Sequence, residues 1–387
     1  MKQYITGIKI YTMAEAGVID RGYVAIENGK IAAVGAGEPA VAEGDAVIRE
    51  TGRLFPGFID GHTHIGILED SLRAEGDDVN EATNPNTAQL RGWDAINPLD
   101  RCFGDAMRAG VTLVGVGPGS ANPIGGQFVA MKTVGQRVDD MIVKAPVSMK
   151  FALGENPKFC YSGKGPSTRM ATASIIREAL LKAQRYADKK DKAAEPDKRP
   201  EYDAQCEALE PVIRGELPAH FHCHRADDIF TAVRIAEEFR LKYKLVHCTE
   251  GHLIAQELAK ADVEAFIGPN LSDRSKPELR SMTFANAGIL ADAGIKVSIT
   301  TDHPVTPLEY LPVCAALAAR EGLGRERAYR ALTINAAEML GLADRVGSIE
   351  VGKDADFAIF DGDPLDVFTR AKRVYINGVE TYRRAKH

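Results

Sequence analysis

The chain has 387 residues and a formal net charge of −6. That acidity argues against nucleic acid as the main partner, because binding it needs a basic footprint. Hydrophobic residues make up 45% and charged residues 26%, an ordinary globular balance that at this length needs no disulfide or structural-metal staple.

The N-terminal stretch MKQYITGIKIYTMAEAGVIDRG has neither the continuous apolar run nor the cleavage site of a signal peptide. No apolar run approaches the about 18 residues that would span a membrane. Cys102, Cys160, Cys206, Cys223, Cys248 and Cys314 form no CxxC pair, so we read them as reduced thiols of a cytoplasmic protein. The charged stretch 189–199 (KKDKAAEPDKR) mixes both signs and reads as a solvated surface.

In chain order, residues 5–11 (ITGIKIY) alternate apolar and polar positions. Residues 22–27 (GYVAIE) and 30–34 (KIAAV) flank Asn28-Gly29, a strong hairpin signal. From Arg53 the pattern changes. Apolar runs at 54–59, 111–116, 147–152, 219–223, 244–247, 264–267 and 296–300 alternate with helical stretches at 98–109, 168–186, 227–239, 252–259 and 280–293. This alternation predicts a parallel sheet with right-handed crossovers. An eighth strand is expected within 126–143 or near Lys158, and eight would close an α/β TIM-like (β/α)8 barrel, a unit of roughly 250 residues. The tail returns to short strands at 348–352, 355–360, 374–376 and 379–382, with a second Asn-Gly turn at Asn377-Gly378. The two ends therefore read as one small β-sandwich domain, 1–52 plus 345–387, around a barrel at 53–344. No internal repeat or low-complexity tract is present.

The chemistry gathers at predicted strand ends. In FPGFIDGHTH, His62 and His64 share one side of a strand, so both imidazoles can reach one metal. In HFHCHR, His220, His222 and His224 share a parity. His247 ends the run LVH, where alone it is as readily an ordinary core histidine. Asp302 follows VSITT, where alone it is as readily a turn residue or helix cap. Their weight is collective. Eight of the nine histidines lie between His62 and His303, nearly all at strand C-termini, the face on which such barrels build active sites.

The order HxH, lysine or glutamate, His, His, Asp resembles the amidohydrolase superfamily of metal-dependent hydrolases, in the branch related to imidazolonepropionase and prolidase. The likeness extends to the tail NAA…GSI…GKDAD at 335–356. The resemblance implies a hydrolase of C–N bonds (amide, cyclic amide or dipeptide) in a small molecule, in a homo-oligomer, with one or two divalent ions. Zinc comes first, with manganese and iron suiting the same ligands. It makes His62, His64, His222, His247 and Asp302 metal ligands and Asp302 the general base and acid. The bridging position falls to Lys150 or Glu155. Lys150 is preferred because it sits inside an apolar strand, where a neutral amine or carbamate relieves the cost of a buried ammonium. His224, His252 and His303 are candidates to polarise the carbonyl. Substrate contacts are sought at Gln127, in the glycine-rich stretch 117–127, and at Tyr161, Arg169 and Arg225, which could meet a carboxylate. The GKG at 163–165 is too short for a phosphate loop. The alternatives are a one-metal deaminase of the same superfamily and a non-catalytic binding protein on the same barrel.

Overall fold

The computed structural model describes residues 1–161 and 165–385; positions 163 and 164 of the GKG stretch lie outside the described residues. The first strands are β1 (Gln3–Tyr11), β2 (Val18–Glu27), β3 (Lys30–Ala36), β4 (Ala46–Arg49) and β5 (Arg53–Pro56). The middle of the chain carries β6 (Phe58–Thr63), β7 (Val111–Val116), β8 (Ile124–Lys132), β9 (Ile142–Ala152), β10 (Ala219–Cys223), β11 (Tyr243–His247), β12 (Glu264–Ile267) and β13 (Lys296–Ile299). The chain closes with β14 (Phe357–Phe360), β15 (Ala371–Ile376) and β16 (Val379–Arg383).

Both ends of the chain contribute to one sheet, in the order β16-β15-β14-β5-β1-β2-β3, with β4 paired to β1. The β2–β3 turn holds Asn28 and Gly29 at φ of 52° and 78°, the doubly positive pair that a two-residue hairpin requires. Residues 348–352, expected as a strand, form a bend and a turn instead; Asp354 pairs with Lys30 in an isolated bridge, and a strand resumes at Phe357. The expected single strand at 54–59 is two strands in different sheets. β5 pairs with β1 and β14, while β6 pairs with β7. Gly57 makes the crossing possible: a Cβ there would lie 2.0 Å from the Thr112 hydroxyl oxygen.

The second sheet runs β13-β12-β11-β10-β9-β8-β7-β6 and forms a TIM-like barrel with helices outside it. β6, β7 and β10 are buried along their whole length, as expected for strands covered on both faces. The sheet is mixed rather than all parallel. β8 is the eighth strand and runs antiparallel to β7 and β9. The connections of β8 explain this: residues 117–123 and 133–141 are too short for the crossover of a dozen or more residues that a parallel neighbour requires. The segment around Lys158 is a short helix, Glu155–Cys160.

The helix Arg169–Lys192 is capped by the Thr168 hydroxyl and buries a stripe at Thr172, Ala173, Ile176, Ala179, Leu180, Ala183 and Ala187, the spacing of one helical face. Helices at Ala204–Ile213, Leu311–Ala318, Arg325–Ala331 and Ile334–Met339 were not anticipated.

The seam between β13 and β6 is closed by side chains as well as backbone. His64 N–H donates to the His303 carbonyl at 2.9 Å. The buried Asp60 carboxylate accepts from the Thr300 hydroxyl at 2.6 Å, the Thr301 N–H at 2.8 Å and the Thr301 hydroxyl at 2.7 Å. The Thr300 hydroxyl also lies 2.6 Å from the His62 carbonyl. Asp60 therefore fixes the first strand end against the last, where the ligand-type residues of both emerge.

Candidate metal centre

Strand register decides which side chains meet. Parallel pairing sets Cys223 opposite His247 and Ala152 opposite His222. At the C-terminal mouth of the barrel two groups form. His62, His64 and Asp302 offer ligand atoms within 4.8 Å of one another, and so do His222, His224 and His247. The groups adjoin: the His62 and His247 rings are 5.6 Å apart, and the Lys150 amine lies 2.8 Å from His62 Nε2. Asp302 Oδ1 is 3.2 Å from His64 Nε2 and 3.7 Å from His62 Nε2.

Hydrogen bonds orient the rings. His64 Nδ1–H donates to the Gly117 carbonyl at 2.7 Å, and His247 Nδ1–H donates to the Gly268 carbonyl at 2.6 Å. A carbonyl only accepts, so both rings carry a proton on Nδ1; His247 Nε2 has no hydrogen-bond partner, and His64 Nε2 faces the Asp302 carboxylate. The Thr249 hydroxyl holds His224 Nδ1 at 2.7 Å. Among the described residues, His62 Nδ1, both nitrogens of His222 and His247 Nε2 have no hydrogen-bond partner. Buried polar atoms are ordinarily paired, so this concentration of orphaned nitrogens fits a cation.

The electrostatics agree. Burial pushes His62, His222 and His224 well below the usual histidine range and His247 to about 4, so the rings are neutral, the form that binds metal. Burial likewise lowers Lys150 to about 7. Burial would raise Asp302, but its hydrogen bond with His64 and the Lys150 amine nearby outweigh that and hold it below the usual carboxylate range. The backbone is strained here: His247, Cys248 and Asp302 have φ of 70°, 47° and 51°. Such conformations in non-glycine residues persist where the surroundings over-determine them, often at active sites.

These pKa shifts carry a pH signature. Burial lowers His220, His247 and His303 to about 3, 4 and 4. Unfolded, each takes up a proton below about 6.5. Between those values the unfolded chain binds more protons, so stability falls as pH falls. The urea midpoint of metal-free protein is expected to drop steadily as pH falls between about 6.5 and 4.5. A flat midpoint through that window would mean the rings are charged in the folded chain.

The remaining sequence-predicted residues lie as follows. His220 sits below the second group, with Ser148 Oγ at 3.1 Å and the Phe266 ring at 5.2 Å. His252 Nδ1–H donates to the Thr249 carbonyl at 3.2 Å and belongs to neither group. His303 is buried, and its Nδ1 accepts from Leu308 N–H. Glu155 starts a short helix and belongs to neither group. Gln127 Nε2 donates to the Ala88 carbonyl at 3.5 Å. The Tyr161 hydroxyl is 3.3 and 3.1 Å from the Glu81 and Asn84 carbonyls. Arg225 is held by Asp227 through two bonds of 2.9 Å, and Arg169 by Asp228 at 3.0 and 3.1 Å. Both arginines expected to meet a substrate carboxylate thus already have an acidic partner.

Two residues at the centre escaped the sequence reading. Asp60 was legible only as the aspartate of PGFID. Glu278 follows SDRSKP in a polar stretch with no strand signal, yet its side chain is fully buried.

The sequence profile of the amidohydrolase family matches residues 53–380. A crystal structure of an amidohydrolase from Thermotoga maritima MSB8 is 40% identical, with a TM-score of 0.94, over 99% of this chain and 100% of that one. Amidohydrolase tasK of Hapsidospora irregularis is 30% identical over 93% of this chain, which spans only 40% of the length of that protein. The imidazolonepropionase of Solibacter usitatus (strain Ellin6076) is 26% identical over 96% of this chain and 94% of its own. The profile match covers most of the chain, and the chain belongs to the amidohydrolase family of metal-dependent hydrolases.

Proposed function

We propose that this protein hydrolyses a carbon–nitrogen bond, in an amide, cyclic amide or dipeptide, using divalent ions held by the two histidine groups. The observation that carries the reading is the convergence of neutral, unpartnered imidazole nitrogens with one carboxylate at the barrel mouth. His62, His64 and Asp302 would hold one ion and His222 with His247 another, with Lys150, as a carbamate, between them. Zinc is the first candidate, and manganese and iron suit the same donors. When bound, such an ion lowers the pKa of water toward about 7 and polarises a carbonyl oxygen.

The chain's own groups supply the proton transfers. Asp302 takes the proton of the attacking water and returns it to the leaving nitrogen. His224, with Thr249 on Nδ1, turns its Nε2 toward the carbonyl oxygen, where negative charge develops. Asp60 acts on neither. It holds the strand ends that carry His62 and Asp302.

A second histidine group beside Lys150 favours this reading over a one-metal deaminase. The test combines elemental analysis with a screen of N-acyl amino acids, dipeptides and cyclic ureides, with and without chelator. Turnover of a member of this panel is expected, lost on stripping the ions and restored by adding them back. Turnover that survives complete removal of metal would overturn the reading.

A further inference from the structure

Glu278 lies on the loop after β12, and its side chain is fully buried. One carboxylate oxygen accepts the Glu155 N–H at 3.0 Å. The other, Oε1, has no hydrogen-bond partner among the described residues. The basic groups within 4.0 Å of it are His224 Nε2 at 3.7 Å and the Lys276 amine at 3.8 Å, both beyond hydrogen-bond range. Lys276 is engaged elsewhere, donating to Asn156 Oδ1 at 2.9 Å. Gly154, at φ +92°, leaves room for the carboxylate, since a Cβ there would lie 2.9 Å from Glu278 Oε2 and 3.2 Å from Asp228 Oδ2.

A fully buried carboxylate oxygen without a donor is costly, and this one faces the ring proposed to meet the substrate carbonyl. The cations around it are spent: Arg169 on Asp228, Arg225 on Asp227. The local balance suits a nitrogen donor on the substrate and disfavours a carboxylate there.

We infer that Glu278 is a specificity-determining residue whose Oε1 accepts a hydrogen bond from a cationic nitrogen of the substrate, an ammonium close to the scissile carbonyl. The inference rests on the hydrolase reading and narrows its substrate class to compounds with a free amine beside the bond cut. N-acylated compounds are then poor substrates, because acylation removes both the charge and the donors.

The test is a binding measurement, so that it does not depend on turnover. The probes are a phosphinic dipeptide analogue with a free amino terminus and its N-acetyl counterpart, titrated calorimetrically into the metal-loaded full chain. A charge-assisted hydrogen bond should make the free amine bind at least about 10-fold tighter than the acetylated form. Glu278→Gln, which keeps the shape and the bond from Glu155 N–H, should shrink that preference to within about 3-fold. Glu278→Asp, retaining the charge but retracting it, should fall between. Metal content measured on each variant verifies that the centre is intact. Equal or tighter binding of the acetylated form, an undiminished preference in Glu278→Gln, or failure of both probes to bind would overturn the inference. The hydrolase reading is judged separately, by chelator-sensitive turnover across the amide panel.

Discussion

Replacing Asp302 with Asn is expected to lower kcat by about 1,000-fold, the scale on which a positioned general base and acid acts. The substitution is nearly isosteric, so it should leave the fold intact. The carboxylate sits 3.2 Å from His64 Nε2 and 3.7 Å from His62 Nε2, and its backbone is already in the left-handed region, at φ 51°, which asparagine tolerates as well as aspartate does. The amide loses the basic oxygen but keeps a weaker donor oxygen for an ion. Steady-state kinetics on samples of equal metal content would isolate the proton-transfer role. Near-full activity with metal retained would remove Asp302 from that role.

The second large effect is expected at Lys150. Lys150→Met keeps an unbranched apolar stem of similar length and removes the amine. The amine is fully buried, and burial lowers it to about 7. If it served only packing, methionine would be neutral or stabilising, because a lone buried amine is expensive to keep. If it bridges the two histidine groups, the variant should bind metal more weakly and lose at least about 100-fold in kcat/KM while melting no lower than the parent stripped of metal. Isotope-labelled bicarbonate would then give a carbamate carbon signal in the parent and none in Lys150→Met. Full activity in Lys150→Met would return the bridging position to Glu155 or leave it empty.

Much of this was legible in the sequence for a physical reason. The HxH pair, HFHCH and LVH lie on short apolar strands whose ends are easy to locate, and a barrel sends all parallel strand ends to one face. Choosing among His220, His222 and His224 was harder, because period-2 alternation gives all three the same side. Depth sets His220 apart, and depth comes from pairing: His220 is level with Lys150 in the register and lies one layer below His222. The antiparallel direction of β8 was hidden because its run, IGGQFVAMK, is glycine-broken at its start and is followed by only a four-residue helix, Val138–Met141. The split at Gly57 was hidden because two buried strands joined by one glycine read as a single apolar run. Glu278 was invisible for the opposite reason: it sits in a loop whose composition is that of a solvated surface, and only the fold over Gly154 buries it. A charge adjacent to a ligand cluster looks unpaired in the sequence, whereas Asp227 and Asp228, two and three residues along from Arg225, pair with Arg225 and Arg169.

The account depends on cations sitting among imidazoles that the chain brings from distant strands. Anomalous X-ray diffraction at the zinc edge, on crystals of protein purified without added metal and then loaded with zinc, addresses this directly. Peaks are expected between His62, His64 and Asp302 and between His222 and His247, with Lys150 adjoining both. A protein that cleaves amides while these residues show no anomalous peak would contradict it.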